Sequence, residues 1–346
     1  MNSDAILVNS SILLRLGKKD HIQQCYDEGS LTFGCAANWI NLAINRKDYS
    51  TGDLEECIFA RIKKDDPRSH KVKDSYGNPM GSNLIITDCE TKNIRLLRFA
   101  PTILMPVLCL YNVDVIKLAE KHEFKNKIYG IDLDLYCDMM QYDAKDASFI
   151  IIHQPSLLYD DLRKAISQEI ETNNNLIRNR FYKPEKGNDV LVAKAVDYHQ
   201  HTDIEYFFDY QPQRKEIFWK MPRYESQSEL RIVIPRINFR TPETENISNT
   251  VSDNELLAFN LNKKTYNYKN KELKIYLPHF KEYAEIAPAT EIHTLLFWNV
   301  DRGKKTFCMS KSKMTYPELL RSKIFYQNFE DSGLLLISPK TFNNKI

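Results

Sequence analysis

The sequence predicts an α+β fold with a mixed, mostly antiparallel sheet and flanking helices. Three observations predict it. Short strand-like runs far outnumber helical ones, and they follow one another irregularly rather than in a βαβ rhythm. Only 10 glycines occur in 346 residues, and no glycine-rich phosphate loop is among them. Hydrophobic residues make up 42% of the chain, enough for a sizeable core.

The elements follow in order. "SILLRLG" reads as a short strand and "DHIQQCYDEG" as a helix that Gly29 stops. "SLTFGC" is a second strand and "AANWINLAINR" a helical segment. From Lys47 to Asn83 charge is dense and of mixed sign, the pattern of a solvated surface or, less simply, of a nucleic-acid contact. "LIITDC", "IRLLRFA", "VLCLYNV", "YGIDLDLY" and "ASFIIIH" are strand-like. "PSLLYDDLRKAISQEIE" is a patterned helix ended by Asn173, Asn174 and Asn175. "DVLVAKAVDYHQ" and "SELRIVIPRI" are the clearest strands. Thr241 to Asn254 is a polar excursion. Strands and helices then alternate through "LKIYLP", "HFKEYAEIA", "HTLLFWNV", "YPELLRSKIFYQ" and "GLLLIS". We expect one elaborated domain over residues 1–346, with a core at about 10–240 and a C-terminal extension at about 241–346.

A net charge of +2 gives no field that demands nucleic acid or a membrane surface. The start has no secretory signature, and no apolar run reaches the roughly 20 residues of a bilayer span. A cytoplasmic protein is therefore expected. The seven cysteines form no C-x-x-C pair, and small core residues in a reducing compartment explain them.

Several constellations could carry chemistry. In "SQSELRIVIPR", alternation puts Gln227, Glu229 and Arg231 on one strand face. A carboxylate beside an amide can polarise a ribose hydroxyl or stabilise an oxocarbenium-like centre. The plain alternative is a cross-strand ion pair. Arg15, on the face of the first strand opposite Leu14 and Leu16, suits bidentate binding of phosphate, or else is an edge arginine. His199, His201 and Asp203 share one face of a strand end, a metal-site spacing or a polar edge. Asp132 and Asp134 present the same choice. Aromatic clusters such as "EYFFDYQ" and "EIFWKMPRY" offer stacking surfaces or core.

"LLRLGKKDHIQQCYDEGSLTFG" resembles the strand–helix–strand opening of the ADP-ribosyltransferase fold, and "QSELRI" resembles its Gln/Glu-x-Glu motif. The chain is also similar to a bacterial family of uncharacterised, defence-associated proteins, through Gly29, Leu31 and Phe33 and then Phe218, Lys220 and "QSELR". It departs from the pattern where "ANWIN" replaces Asn-Asp-Pro and where "CLYNV" replaces Ser-x-Ser. The resemblance implies a split sheet with an ADP-ribosyltransferase-like core and an NAD-consuming effector of an antiphage or toxin system. NAD would be the substrate, a protein or nucleic acid the acceptor, and a neutralising protein a partner. Glu229 would be catalytic, with Gln227 orienting the acceptor. Arg15, Phe33, Trp39 and Arg231 would hold the dinucleotide, and no metal is implied. The other expectations are a non-catalytic module sensing a nucleotide or phage component, and a metal-dependent nuclease.

Overall fold

The computed structural model describes residues 6–8, 11–43, 55–63, 84–89, 94–116, 128–178, 190–198, 215–239, 259–260, 271–301, 306–321 and 334–337. Its centre is a six-stranded, wholly antiparallel sheet. In spatial order the strands are β11 (Val192–Ala195), β14 (Glu229–Val233), β7 (Val107–Asp114), β2 (Ser11–Lys18), β9 (Ala147–Ile152) and β18 (Ala284–Pro288). A second sheet runs β1 (Ile6–Val8), β20 (Thr306–Ser312), β19 (Thr294–Asp301), β8 (Ile128–Asp132), β21 (Leu334–Ile337), antiparallel except at its β8–β21 edge. A third contains β16 (Phe259–Asn260), β5 (Leu84–Cys89), β6 (Ile94–Phe99) and β4 (Ala60–Lys63). Two-stranded ribbons pair β17 (Leu273–Tyr276) with β3 (Ser30–Phe33), β10 (Leu176–Arg178) with β15 (Ile237–Phe239), and β12 (Asp197–Tyr198) with β13 (Trp219–Lys220). The helices are α1 (Lys19–Glu28), α2 (Ala36–Asn41), α3 (Ala100–Ile103), α4 (Leu133–Met139), α5 (Pro155–Thr172), α6 (Phe280–Tyr283) and α7 (Tyr316–Arg321). The fold is thus α+β with mostly antiparallel sheets.

Alternation sorts the central strands into two cores. Ile12, Leu14, Tyr111, Val113, Phe149 and Ile151 point toward the second sheet and pack with Tyr129, Ile131, Leu295, Phe297, Phe307 and Met309. Leu13, Ile150 and Ile152 point the other way, against Ile22 and Cys25 of α1 and Leu158, Leu162 and Ile166 of α5. Central strands covered on both faces lose the polar alternation of a half-exposed strand, which is why "ASFIII" is buried at every position. Strands from beyond residue 240 join sheets built by the residues before it. β17 completes a ribbon with β3, and β18 is an edge of the central sheet beside β9.

Gly29 ends α1 in the left-handed region, with φ of 62°. Its carbonyl accepts from Leu277 N at 2.7 Å, and a Cβ there would stand 2.9 Å from the Leu277 carbonyl oxygen. Gly29→Ala should therefore destabilise the protein by about 1–2 kcal/mol through backbone strain alone, with the clash added. Urea unfolding measures it, and an unchanged midpoint would contradict this account.

The central sheet is split. β2 and β7 pair over four positions, from Ser11↔Asp114 to Leu14↔Tyr111. Beyond Leu14, β2 continues only with β9 as far as Lys18, while β7 continues with β14 as far as Val107. At the far end of the parting, Gly34 exchanges both backbone hydrogen bonds with Val107, at 2.9 and 2.8 Å.

Three readings of the sequence change. "YGIDLDLY" is strand only to Asp132, whose carboxylate accepts from Leu135 N at 3.0 Å and caps α4. Asp134 instead meets His293 Nδ1 at 2.8 Å, so the two acids do not form a cation pair. Glu55, Glu56 and Arg61, expected in a solvated charged run, sit with side chains only 12%, 1% and 2% exposed.

Candidate functional site

The site begins at a turn the sequence did not announce. Pro222–Gln227 form a 3-10 turn, and Ser228 follows in the left-handed region with φ of 40°. Ser228 Oγ donates to the Asn112 carbonyl at 3.0 Å, and its own carbonyl accepts from Asn112 N at 2.8 Å. These bonds pin a strained residue and feed Glu229 into β14. Gln227 therefore lies outside the strand, not on its face as alternation suggested.

Gln227 and Glu229 nonetheless converge, through a lysine. Lys220 Nζ donates to Gln227 Oε1 at 2.6 Å and to Glu229 Oε2 at 3.0 Å. The other carboxylate oxygen, Oε1, accepts from Arg231 Nε at 2.6 Å, as the i, i+2 spacing of one strand face allows. Arg231 Nη1 also donates to Glu56 Oε1 and to the Ile217 carbonyl. Its guanidinium lies 5.3 Å from the Trp39 ring centroid. Arg98 Nε reaches the Glu56 carbonyl at 2.8 Å. The backbone N–H of Glu229 donates to Tyr198 Oη at 2.8 Å. Two carboxylates thus share one buried guanidinium, with a lysine on the outer side.

Burial alone pushes the Glu229 carboxyl up, but Arg231 and then Lys220 overcome it and hold the group well below the usual carboxylate range. Burial likewise works against the Arg231 charge, and Glu229 and Glu56 more than restore it. The neighbouring phenols of Tyr198 and Tyr136 are raised, chiefly by burial and then by nearby anionic groups including Glu229. Cys109, the register partner of Arg231, is raised by burial and by Glu229.

Arg15 stands apart. Leu14 faces Tyr111, and Tyr111 faces Glu229, so those three share a side of the sheet and Arg15 takes the other. Yet Arg15 is the first residue past the parting of β2 and β7. It lies close enough to Cys109 across the gap for the two groups to affect each other's ionisation, and Cys109 is also a neighbour of Glu229. Nη1 of Arg15 is buried without a hydrogen-bond partner among the described residues. Burial pulls the Arg15 pKa down, and Arg15 in turn joins burial in lowering that of His21. Arg15→Met should accordingly raise the His21 pKa. NMR titration of the imidazole reads this, and an unmoved curve would place the guanidinium elsewhere.

The structure therefore brings together Gln227, Glu229, Arg231 and Trp39, but not Arg15 or Phe33. Phe33 is wholly buried on β3, opposite Leu273, and presents no ring to a ligand. Trp39 is partly buried, and Arg231 already lies over its ring. Sequence reasoning missed Glu56 and Tyr198, which arrive from distant segments. His199, His201 and Asp203 lie outside the described residues, and among the described residues no cluster of three His, Cys, Asp or Glu side chains could hold a metal ion. No described helix is long and apolar enough to cross a membrane.

Comparison with family models, with curated proteins and with solved structures finds no match to this chain.

Proposed function

We propose that the protein is an ADP-ribosyltransferase-like effector that consumes NAD, in the defence or toxin setting its resemblance implies. The observation that carries the reading is the meeting of the Gln227 amide and the Glu229 carboxylate at one point, 2.6 and 3.0 Å from Lys220 Nζ, beside a split sheet. Cleavage of the nicotinamide–ribose bond generates an oxocarbenium-like centre, which a fixed carboxylate, ionised at neutral pH and in a water-poor setting, stabilises. Glu229 is such a carboxylate. It would accept from the ribose 2′-hydroxyl while Gln227 orients the acceptor. Arg15, on the other side of the sheet from Glu229, is not part of this cluster, and the reading rests on Gln227 and Glu229 without it.

A second reading is favoured by one specific observation: both oxygens of Glu229 are already taken, by Lys220 and Arg231. On that reading the same parting binds a nucleotide or a phage component without turnover. Incubating the pure protein with NAD, with and without cell lysate, and measuring free nicotinamide separates the two. Release above the Glu229→Gln background supports the enzyme. Calorimetric binding without release supports the sensor. Neither binding nor release removes NAD from both.

A further inference from the structure

The surroundings of Lys220 are those of a cation site, and the lysine fills it from within. Its Nζ touches three electron-rich groups: Gln227 Oε1 at 2.6 Å, Glu229 Oε2 at 3.0 Å and the Tyr224 ring, 4.7 Å to the centroid. An ammonium has only donors, so the amide must turn its oxygen inward. A carboxylate, a carbonyl and an aromatic face together recognise alkylammonium and pyridinium groups. The carboxylate and the amide oxygen set the preference for a cation, and the Tyr224 ring already carries a second one, Arg223, 4.8 Å from its centroid.

The element that delivers the lysine is slight. β13 is two residues long and, among the described residues, pairs with the two residues of β12. Tyr198 and Lys220 are register partners in that ribbon, and both are tied to Glu229, one through its backbone N–H and the other through its carboxylate. A two-residue parallel ribbon contributes little stability of its own. Its ties to this point include the two bonds to Glu229 and the Lys220–Gln227 bond, so withdrawing the ribbon lifts the phenol and the ammonium together.

We propose that Lys220 is an internal plug, and that the recess formed by Gln227, Glu229 and Tyr224 is the subsite for the cationic group of the ligand. The proposal rests on the reading of NAD as that ligand, in which case the group is the pyridinium ring of the oxidised nicotinamide. Binding exchanges one cation for another: Lys220 leaves, the pyridinium enters, and Glu229 remains ionised throughout. The reduced dinucleotide has nearly the same shape without the charge, and it has no means of replacing the ammonium.

The test is calorimetric binding of oxidised and reduced NAD to wild type, Lys220→Met and Lys220→Arg. Lys220→Met should bind the oxidised form about tenfold more tightly than wild type, the size of one charge-assisted contact no longer displaced, and the reduced form unchanged. Lys220→Arg should behave as wild type. Weaker binding of the oxidised form by Lys220→Met would make the lysine a ligand contact, and an equal gain for both forms would make it a mere obstruction. Either overturns the plug. Failure of every variant to bind either form overturns the NAD reading itself. A second measurement needs no dinucleotide. n-Propylammonium should raise the thermal midpoint of Lys220→Ala and not of wild type, whereas n-propanol should not. Equal effects of amine and alcohol on Lys220→Ala would show that the recess does not recognise charge.

Discussion

Arg231→Met should destabilise the protein by about 3–5 kcal/mol, the usual cost of stranding buried charge. Arg231 is completely buried, and it is the common partner of Glu229, 7% exposed, and Glu56, 1% exposed. Methionine fills most of the volume and keeps the contact with Trp39, so packing loss is small. What remains is two carboxylates in a dry interior that have lost their shared guanidinium, with Lys220 still bonded to Glu229 and the Ile217 carbonyl missing its donor. Urea unfolding of the two proteins measures the difference. A second variant makes the cause visible: in the Arg231→Met background, Glu56→Gln should recover part of the loss, because it removes one stranded charge without altering shape. A loss below about 1 kcal/mol, or no recovery, would mean that the guanidinium is not the keystone of this cluster.

The same cluster shows what a linear sequence can carry and what it cannot. Glu229 and Arg231 were legible because polar residues two apart in an apolar strand must share a face, and their 2.6 Å bond follows from that geometry. Gln227 was placed on the same face by extending the alternation one step too far. The left-handed Ser228 breaks the strand there, and no glycine or asparagine marks it. Glu56 was hidden by its company. It lies in a run of mixed charge, which local patterning reads as solvated, and only the pairing of strands far apart in the chain buries it. Tyr198 has no local signal at all, because a phenol acting as acceptor for a distant backbone N–H is visible only once β12 and β14 are neighbours.

Elsewhere the outcome followed how local the determinant was. Gly29 closes α1 where the sequence placed the stop, since the left-handed cap is set by that one residue. "YGIDLDLY" misled because alternation and helical spacing are both satisfied over so short a stretch. The capping preference of Asp132 decided the matter. The split between β2 and β7 could not be read from either strand, since it depends on where two ladders end.

On the proposed NAD-consuming reading, Glu229→Gln should lower nicotinamide release by at least about 100-fold, the effect of removing a charge aimed at a developing cation. The substitution also has a signature in stability that does not depend on catalysis. The wild-type carboxyl is held well below its unfolded value by Arg231 and Lys220, so the folded state binds its proton less readily than the unfolded chain does. Its contribution is therefore complete above the unfolded pKa of about 4.3 and is lost as pH falls below it toward the folded value. The glutamine has no such limb. Unfolding free energies measured from pH 7 down to pH 3 should fall more steeply for wild type than for Glu229→Gln, and the two curves should draw together at the acid end. At pH 7 the variant should be less stable by about 1.5–3 kcal/mol, since two charge-assisted bonds become ordinary ones. Parallel pH curves would show that the buried ion pairs do not set the ionisation of Glu229. Converging curves with undiminished nicotinamide release would keep the ion pairs and remove Glu229 from the chemistry.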